Sequence, residues 1–300
     1  MDQGVPKVKV ILNPYAGRWK AGKATDKVQT ALASAGIKFE LERTERPGHA
    51  IELARAAAEA GFRVIVAAGG DGTISEVVNG LAQAVSDGIV GQLGIVPLGS
   101  ANDLAIQLEL PLDIEGACQC IARGRTKRLD LGRVNDRFFD NDVTIAFGAQ
   151  VNIEAARLTW LRGPLIYLTG VLLALWHYRT PEITVTWDGG QITQRITLAY
   201  VGNGYLTGGM FRITPEARHD DGWLDFAMGG AMGRLKILTF LPQVVRGTHM
   251  GRPEVTYFRC TRLSITSDDP LPVLADGEII YTDAHQLEIS LQPARLEVIV

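Results

Sequence analysis

The stretch Ala67-Ala68-Gly69-Gly70-Asp71-Gly72-Thr73-Ile74-Ser75-Glu76 decides how the chain is read. It overlaps the end of Val64-Ile65-Val66-Ala67, an apolar run of strand length, and leads into a helical pattern with Ile74, Val77, Val78 and Leu81 on one face. Three glycines around one aspartate carry the strand into the helix with little side-chain bulk. Bare backbone can approach a ligand closely there, and a helix N-terminus offers N–H groups and positive potential to a phosphate. Part of the stretch has a plainer explanation: Thr73 and Glu76 have the spacing of a capping box. Capping leaves the glycines unexplained, and they point to an anion site.

The same alternation extends outward from this turn. Val8–Leu12 reads as a strand closed by Asn13-Pro14-Tyr15-Ala16-Gly17, followed by a helix over residues 20–35 and a strand at Lys38–Arg43. The loop Thr44–Ala50 feeds an alanine-rich helix ending at Gly61, and Leu93-Gly94-Ile95-Val96-Pro97 forms a fourth strand. Strands alternating with helices predict a mostly parallel, doubly wound α/β domain over residues 1–133. Ligands of such sheets sit beyond the carboxyl ends of the strands, so Asn13–Gly17, Thr44, Gly69–Thr73 and Pro97–Asp103 are expected around one crevice. Beyond Arg133 the runs are short and often alternating: Ile183-Val185-Trp187, Arg195–Val201, Leu224–Met228, Glu254–Arg259, Arg262–Thr266 and Gln286–Leu291. Asp188-Gly189-Gly190 marks a hairpin. Residues 134–300 are therefore expected to form a larger antiparallel, β-sandwich-like domain, with helical insertions near Ile153–Tyr178 and Arg234–Arg246.

Composition narrows the class. The 300 residues are 46% apolar with a formal net charge of −3, which argues against a nucleic-acid binder. Three cysteines (Cys118, Cys120, Cys260) are too few and badly spaced for a disulfide framework or a four-ligand zinc site and suit a reducing, cytoplasmic setting. Met1-Asp2 runs into a strand pattern without a signal segment. Residues 163–178 are strongly apolar but shorter than the ~20 residues of a spanning helix. With Arg157, Arg162, Arg179, Trp160, Trp176 and Tyr178 around them, they suit either an interfacial helix or a buried one.

Further carboxylates and hydroxyls follow the same loop pattern. Pro97-Leu98-Gly99-Ser100-Ala101-Asn102-Asp103 is a second glycine turn after a strand, and Ser100 with Asp103 could equally be a capping box. Asp276-Gly277-Glu278 lies between apolar strands, where Asp-Gly commonly makes a plain surface turn. The segment from Ile213 to Asp225 crowds Glu216, Asp220, Asp221 and Asp225 into hard-oxygen chemistry that suits Mg²⁺ or, equally, a solvated acidic turn. There is no Walker-type loop, no Gly-x-Gly-x-x-Gly after the first strand, no protein-kinase catalytic loop and no i, i+4 histidine pair. His49 reads as a surface residue.

Taken together, these loops resemble the soluble bacterial diacylglycerol kinases and YegS-like lipid kinases, relatives of the sphingosine kinases. The resemblance runs over essentially the whole chain. It begins with Asn13-Pro14-x-x-Gly17 and Thr44, continues through Gly69-Gly70-Asp71-Gly72-Thr73 and Gly99-Ser100-x-Asn102-Asp103, and takes in Asn203, Gly208-Gly209 and Ile213-x-Pro215-x-Ala217. It ends with Asp221-Gly222-x-Leu224-Asp225 and Asp276-Gly277-Glu278. The Gly-Gly-Asp-Gly-Thr turn alone would also admit NAD kinases and phosphofructokinase-like enzymes; the Asn-Asp loop and the late Asp-Gly-Glu are more specific. Two positions depart from the pattern, Ser100 where threonine is usual and Tyr15-Ala16 where a basic or small polar pair is common.

The resemblance implies phosphoryl transfer from ATP to a lipid hydroxyl, diacylglycerol-like, by a cytoplasmic enzyme that touches the membrane peripherally. It places Asn13, Pro14, Gly17, Thr44, Gly69, Gly70, Asp71, Gly72, Thr73, Glu76, Gly99, Ser100 and Asn102 around ATP. Asp71 and Asp103 would hold catalytic Mg²⁺ directly or through water, and Asp221 a structural Mg²⁺. Glu278 would be the base, with Asp276 and Asp71 as alternatives. A homodimer is left open. The competing readings are a soluble small-molecule kinase such as NAD kinase, which the late Asp-Gly-Glu and the apolar segment disfavour, and a nucleotide or lipid sensor without turnover.

Overall fold

The computed structural model describes residues 8–17, 24–157, 164–176 and 178–300. Val8–Leu12 (β1), Phe39–Arg43 (β2), Val64–Gly69 (β3) and Val90–Pro97 (β4) pair in parallel in the order β4-β3-β1-β2. Every residue of β3 is buried, as a strand covered by helices on both faces must be. The covering helices are Thr25–Ser34 (α1), His49–Glu59 (α2), Asp71–Ala84 (α3), the single turn Asp103–Gln107 (α4) and Ile114–Arg123 (α5). The expected start of the first helix, residues 20–23, lies outside the described residues. The α5 start is fixed by Asp113, whose Oδ1 accepts from the Gly116 amide at 2.8 Å.

The second half is antiparallel. Thr126–Val134 (β5), Arg137–Phe139 (β6) and Asp142–Ala146 (β7) lead into helices Phe147–Ala156 (α6) and Pro164–Trp176 (α7). Glu182–Trp187 (β8), Gly190–Gly202 (β9), Leu224–Gly230 (β10), helix Arg234–Arg246 (α8), Val255–Cys260 (β11), Arg262–Ala275 (β12) and Glu278–Ile299 (β13) follow. The β8–β9 hairpin forms at Asp188-Gly189, with Trp187 opposite Gly190. The two-part α/β plan with a β-sandwich-like second half is the one expected. The first helical insertion, however, begins at Phe147 rather than near Ile153 and comprises two helices.

Alternation alone did not show that the last strand serves both halves. β13 pairs with β12 over its first part and then runs parallel to β4, so that Leu296, Val298 and Ile299 complete the core of the N-terminal sheet. It bends at Ala294, which has φ +50° and whose amide donates to Asp130 Oδ1 at 2.7 Å. The other Asp130 oxygen accepts from the Gly222 amide at 2.7 Å, tying the bend to the 213–225 loop. A third, smaller core joins Val151, Val171, Ala174, Leu175 and Ile237 of α6, α7 and α8. Among the described residues no helix is long and apolar enough to cross a membrane. Tyr178 is no surface anchor: its hydroxyl is bonded to Thr197 Oγ1 and donates to the Met232 carbonyl.

Candidate active site

The loops after β1, β2, β3 and β4 converge at one edge of the parallel sheet. Asn13 Nδ2 donates to Thr73 Oγ1 at 3.0 Å while its Oδ1 accepts from the Tyr15 amide at 2.9 Å, so Asn13 locks the first loop to the third. Pro14 and Gly17 lie in that first loop. Thr44 is buried at the end of β2, its amide donating to the Leu12 carbonyl. Ser100 is exposed at the tip of the loop after β4.

Both capping-box readings are corrected. Helix α3 starts at Asp71, not Thr73: the Thr73 and Ile74 amides both donate to the Gly70 carbonyl. The amides of Asp71 and Gly72 therefore precede the helical ladder and face out of its N-terminus. Glu76 caps a different helix, accepting from Gly48 N at 2.8 Å and Ala50 N at 3.0 Å at the start of α2. Helix α4 is preceded by Asn102 in the left-handed region (φ +54°), and the acceptor for its first amides is Asp71. Asp71 Oδ2 accepts from Asn102 N at 2.8 Å and Oδ1 from Asp103 N at 2.6 Å.

The glycines divide into two groups. A Cβ on Gly99 would lie 2.5 Å from Gly70 Cα, and one on Gly69 would strike Thr73 Oγ1 at 2.3 Å. These glycines let the two loops and the helix start pack against each other. Gly72 is different. Its nearest neighbour would be Glu278 Oε1 at 3.3 Å, so it keeps open the space between the helix N-terminus and that carboxylate.

Glu278 is thereby brought to the glycine turn from more than two hundred residues away. Its Oε2 accepts from Arg137 Nη2 at 2.6 Å, leaving Oε1 on the Gly72 side. Burial raises the Glu278 carboxyl to about 7; the Arg137 charge opposes this, and Glu76 and Asp276 reinforce it. Asp276, the alternative base, does something else. With φ +48° it turns its carboxylate back onto the chain to accept from the amides of Asp140, Asn141 and Asp142 at 2.9–3.1 Å, and these bonds occupy it. Nor is the Asp-Gly pair a plain surface turn.

Asp103 ties the halves together. Its oxygens accept from Gly208 N at 2.7 Å and Gly209 N at 2.8 Å. Gln107, unnoticed in the sequence, does the same through Tyr205 N, Leu206 N and Asn141 Oδ1. Buried Asn203 supports the Asp140 turn, donating to the Asp130 and Asp140 carbonyls. Burial, then the Asp71 charge, pushes the Asp103 carboxyl up to about 7; burial, then Asp276, pushes Asp142 to about 6 and Asp140 well above the usual range. Asp71 is raised by burial and partly restored by the amides it holds. Asp140 and Asp142 carried no signal in the sequence; the fold brings them to Asp103 and Asp71.

This acidic cluster forms one end of a cavity of about 340 Å³. Its lining begins at Asp71, Asp103, Asp140, Asp142 and Asp276 and continues into an apolar body that includes Val171, Phe211, Met228, Ile237, Phe240 and Leu241. Mg²⁺ characteristically keeps several waters and takes one or two carboxylates plus substrate phosphates. The donors fit that pattern. Asp71 and Asp103 keep their negative charge unpaired by any cation among the described residues, which contain no closed cage of three or more His, Cys, Asp or Glu.

Asp221, which the resemblance pairs with carbonyls of its own turn around a cation, lies beside a guanidinium in this fold. Its Oδ1 accepts from the Trp223 amide, and the hard oxygens of its turn converge instead on Arg259. That guanidinium lies 3.7 Å from Asp221 Oδ2, 3.3 Å from buried Asp225 Oδ1, and donates to the Glu216 carbonyl at 3.3 Å. A side chain from β11 already supplies the positive charge.

Comparison with known proteins agrees with this geometry. Residues 7–134 match the diacylglycerol kinase catalytic domain, and residues 141–300 the YegS C-terminal NAD kinase beta sandwich-like domain. A diacylglycerol kinase of Staphylococcus aureus (strain MRSA252) is 28% identical over 273 residues, 91% of this chain and 86% of that one. The crystal structure of a diacylglycerol kinase from Bacillus anthracis (strain Sterne) superposes with a TM-score of 0.74 at 24% identity, covering 98% of this chain and 96% of that one. Yeast NADH kinase shares the fold more distantly, with a TM-score of 0.57 at 11% identity over 99% and 84% of the two chains. With both halves matched and the glycine turn, the Asn-Asp loop and Glu278 gathered in one crevice, the chain belongs to the diacylglycerol kinase family of YegS-like kinases.

Proposed function

We propose that the protein transfers the γ-phosphoryl group of ATP to the hydroxyl of a lipid, diacylglycerol-like in its polar end, at a membrane surface. The observation that carries this reading is the two-ended cavity: buried carboxylates beside a glycine-rich helix start at one end, aliphatic and aromatic walls at the other. A soluble acceptor such as a nucleotide would gain nothing from such walls, whereas a lipid loses apolar surface to water if it stays outside. The volume is at the low end of the ~300–1,000 Å³ of small-molecule sites, which suits a lipid's polar end and the first part of its chains.

The residues take their roles from position. The amides of Asp71 and Gly72 and the loops at Asn13–Gly17, Thr44 and Gly99–Asn102 receive the nucleotide phosphates at a helix N-terminus. Asp71 and Asp103 would hold Mg²⁺ through water, and that ion would supply charge neutralisation to the transferred group. Glu278, its carboxylate oriented by Arg137, takes the proton from the attacking hydroxyl. Asp276 holds the Asp140–Asp142 turn in place. The test is to incubate the purified protein with labelled ATP, Mg²⁺ and either a total lipid extract or NAD. Label is expected in a lipid; label in NAD, or in neither, would defeat the reading.

A further inference from the structure

Helices α7 and α8 each have two apolar faces, and only one is used. Val171, Ala174 and Leu175 of α7 pack with Ile237 of α8, and Arg234 Nη2 donates to the Trp176 carbonyl where the two helices meet. Val171, Ile237, Phe240 and Leu241 also wall the cavity. On α7, Leu172 and Trp176 lie four residues apart, 54% and 78% exposed; on α8, Leu235 and Leu238 lie three apart, 80% and 36% exposed. The wall of the substrate cavity therefore has a second, apolar side in solvent.

The two sequence segments that carry these helices are basic. Residues 155–181 contain Arg157, Arg162 and Arg179 and no Asp or Glu. Residues 226–253 contain Arg234, Lys236, Arg246 and Arg252 and again no acid, in a chain whose formal net charge is −3. Arg157 and Lys236 are paired with Glu154 and Glu254, which flank these segments; Arg179 and Arg234 are exposed. Exposed tryptophan and leucine bordered by cations is the chemistry of an anionic bilayer interface. At 13 residues α7 spans about 20 Å, too short to cross the ~30 Å hydrocarbon layer.

We infer that the outer face of α7 and α8, centred on Trp176 and Leu235, docks the protein on anionic membranes and so sets the cavity wall against the bilayer that holds its substrate. This rests on the lipid-kinase reading for its purpose but is tested apart from it. The probe is sedimentation with vesicles of phosphatidylcholine alone and of phosphatidylcholine with phosphatidylglycerol. The wild type is compared with the double variant Trp176→Glu, Leu235→Glu, neither residue lining the cavity. The wild type should partition onto the anionic vesicles at least about tenfold better than onto the neutral ones, and added salt should weaken this. The double variant should lose about tenfold or more of that partition while phosphorylating a dispersed short-chain diacylglycerol at the wild-type rate. Equal binding of both proteins to anionic vesicles overturns the inference. So does a wild-type dimer that the variant splits without changing vesicle binding, since the face would then belong to a second copy of the chain. Failure of the wild type to phosphorylate any lipid would refute the kinase reading alone, because the vesicle partition still decides the docking face.

Discussion

Two acidic regions of this chain look alike in sequence and behave differently in the fold. Around the crevice, Asp71, Asp103 and Asp276 are held by backbone amides, and Asp142 by the hydroxyls of Thr144 and Thr207 and the side-chain amide of Asn141. In the turn near residue 220, Arg259 meets Asp221 and Asp225, while Lys127 and Arg218 meet Asp220. Amides are partial charges and leave a carboxylate's net charge in place; a guanidinium cancels it. Burial raises the crevice acids, and it raises Asp225 too, against the pull of Tyr257 and Arg259, whereas the Lys127 bond holds the more exposed Asp220 below its ordinary value. Acid density does not mark a cation site. What marks one is acid density that the protein itself leaves uncompensated.

The largest effect should come from the crevice. Asp71→Asn keeps the shape but removes the charge, and turnover is expected to fall by about 10²–10³-fold or more, the scale for a preorganised electrostatic group. Asparagine has one oxygen for the two amides that Asp71 now satisfies, so stability should fall by about 1–3 kcal/mol without loss of the fold. Steady-state kinetics beside a denaturant titration separate the two effects. A variant that keeps its rate and loses only stability would reduce Asp71 to a structural acceptor like Asp225 and dissolve the contrast between the regions.

Glu278→Gln comes next, with a loss of about 10²-fold expected for a positioned base. A base must be ionised to accept a proton, and burial holds the Glu278 carboxyl at about 7 in the folded protein. The rate should therefore rise as pH increases through about 7 and fall below it, and Glu278→Gln should remove the share of this limb that belongs to Glu278, leaving that of Asp103. A variant with a normal rate and the same pH profile would remove Glu278 from the chemistry.

Much of this site was legible in the sequence because its loops carry short, fixed spacings after strands. Gly69–Thr73, Gly99–Asp103 and Asp276–Glu278 are local patterns, and the parallel sheet brings the first two together by rule. What was not legible depends on pairing across the fold. Glu76 has the spacing to cap its own helix, yet α2 lies alongside and presents the unbonded amides of Gly48 and Ala50. Gly70 and Gly99 read as openings for a ligand, and each proved to be small because the other needs the room. Arg137 and Arg259 carry no local signal at all. Each acts on a carboxylate distant in sequence, Arg259 through the β10–β11 register and Arg137 through the packing of β6 near the start of β13.

Arg259→Ala tests the compensated region. Asp225 would stay buried with Tyr257 as its remaining partner and no cation. The cost should be about 2 kcal/mol, below the ~3–5 of a fully buried pair because the Arg259 side chain is 37% exposed. Added Mg²⁺ should recover part of this in the variant, measured as the shift in denaturant midpoint between EDTA and magnesium buffers. If the wild type shows the same shift as the variant, the turn already takes an ion in the intact protein and the distinction drawn above fails.

The smallest effect should come from Glu76→Gln, where the two kinds of compensation meet in one residue. Glu76 is an acceptor for two α2 amides and also one of the charges that raise Glu278. Glutamine can accept through its one oxygen but not on both sides, so about 1 kcal/mol of stability should be lost, the scale of an N-cap. Removing the charge should also move the acidic limb of the rate profile to lower pH, because less repulsion opposes ionisation of Glu278. The measurement is the midpoint of that limb in variant and wild type. A limb that stays in place while stability falls would mean that Glu76 serves the crevice only as a cap, with the Glu278 carboxyl governed by burial and by Arg137.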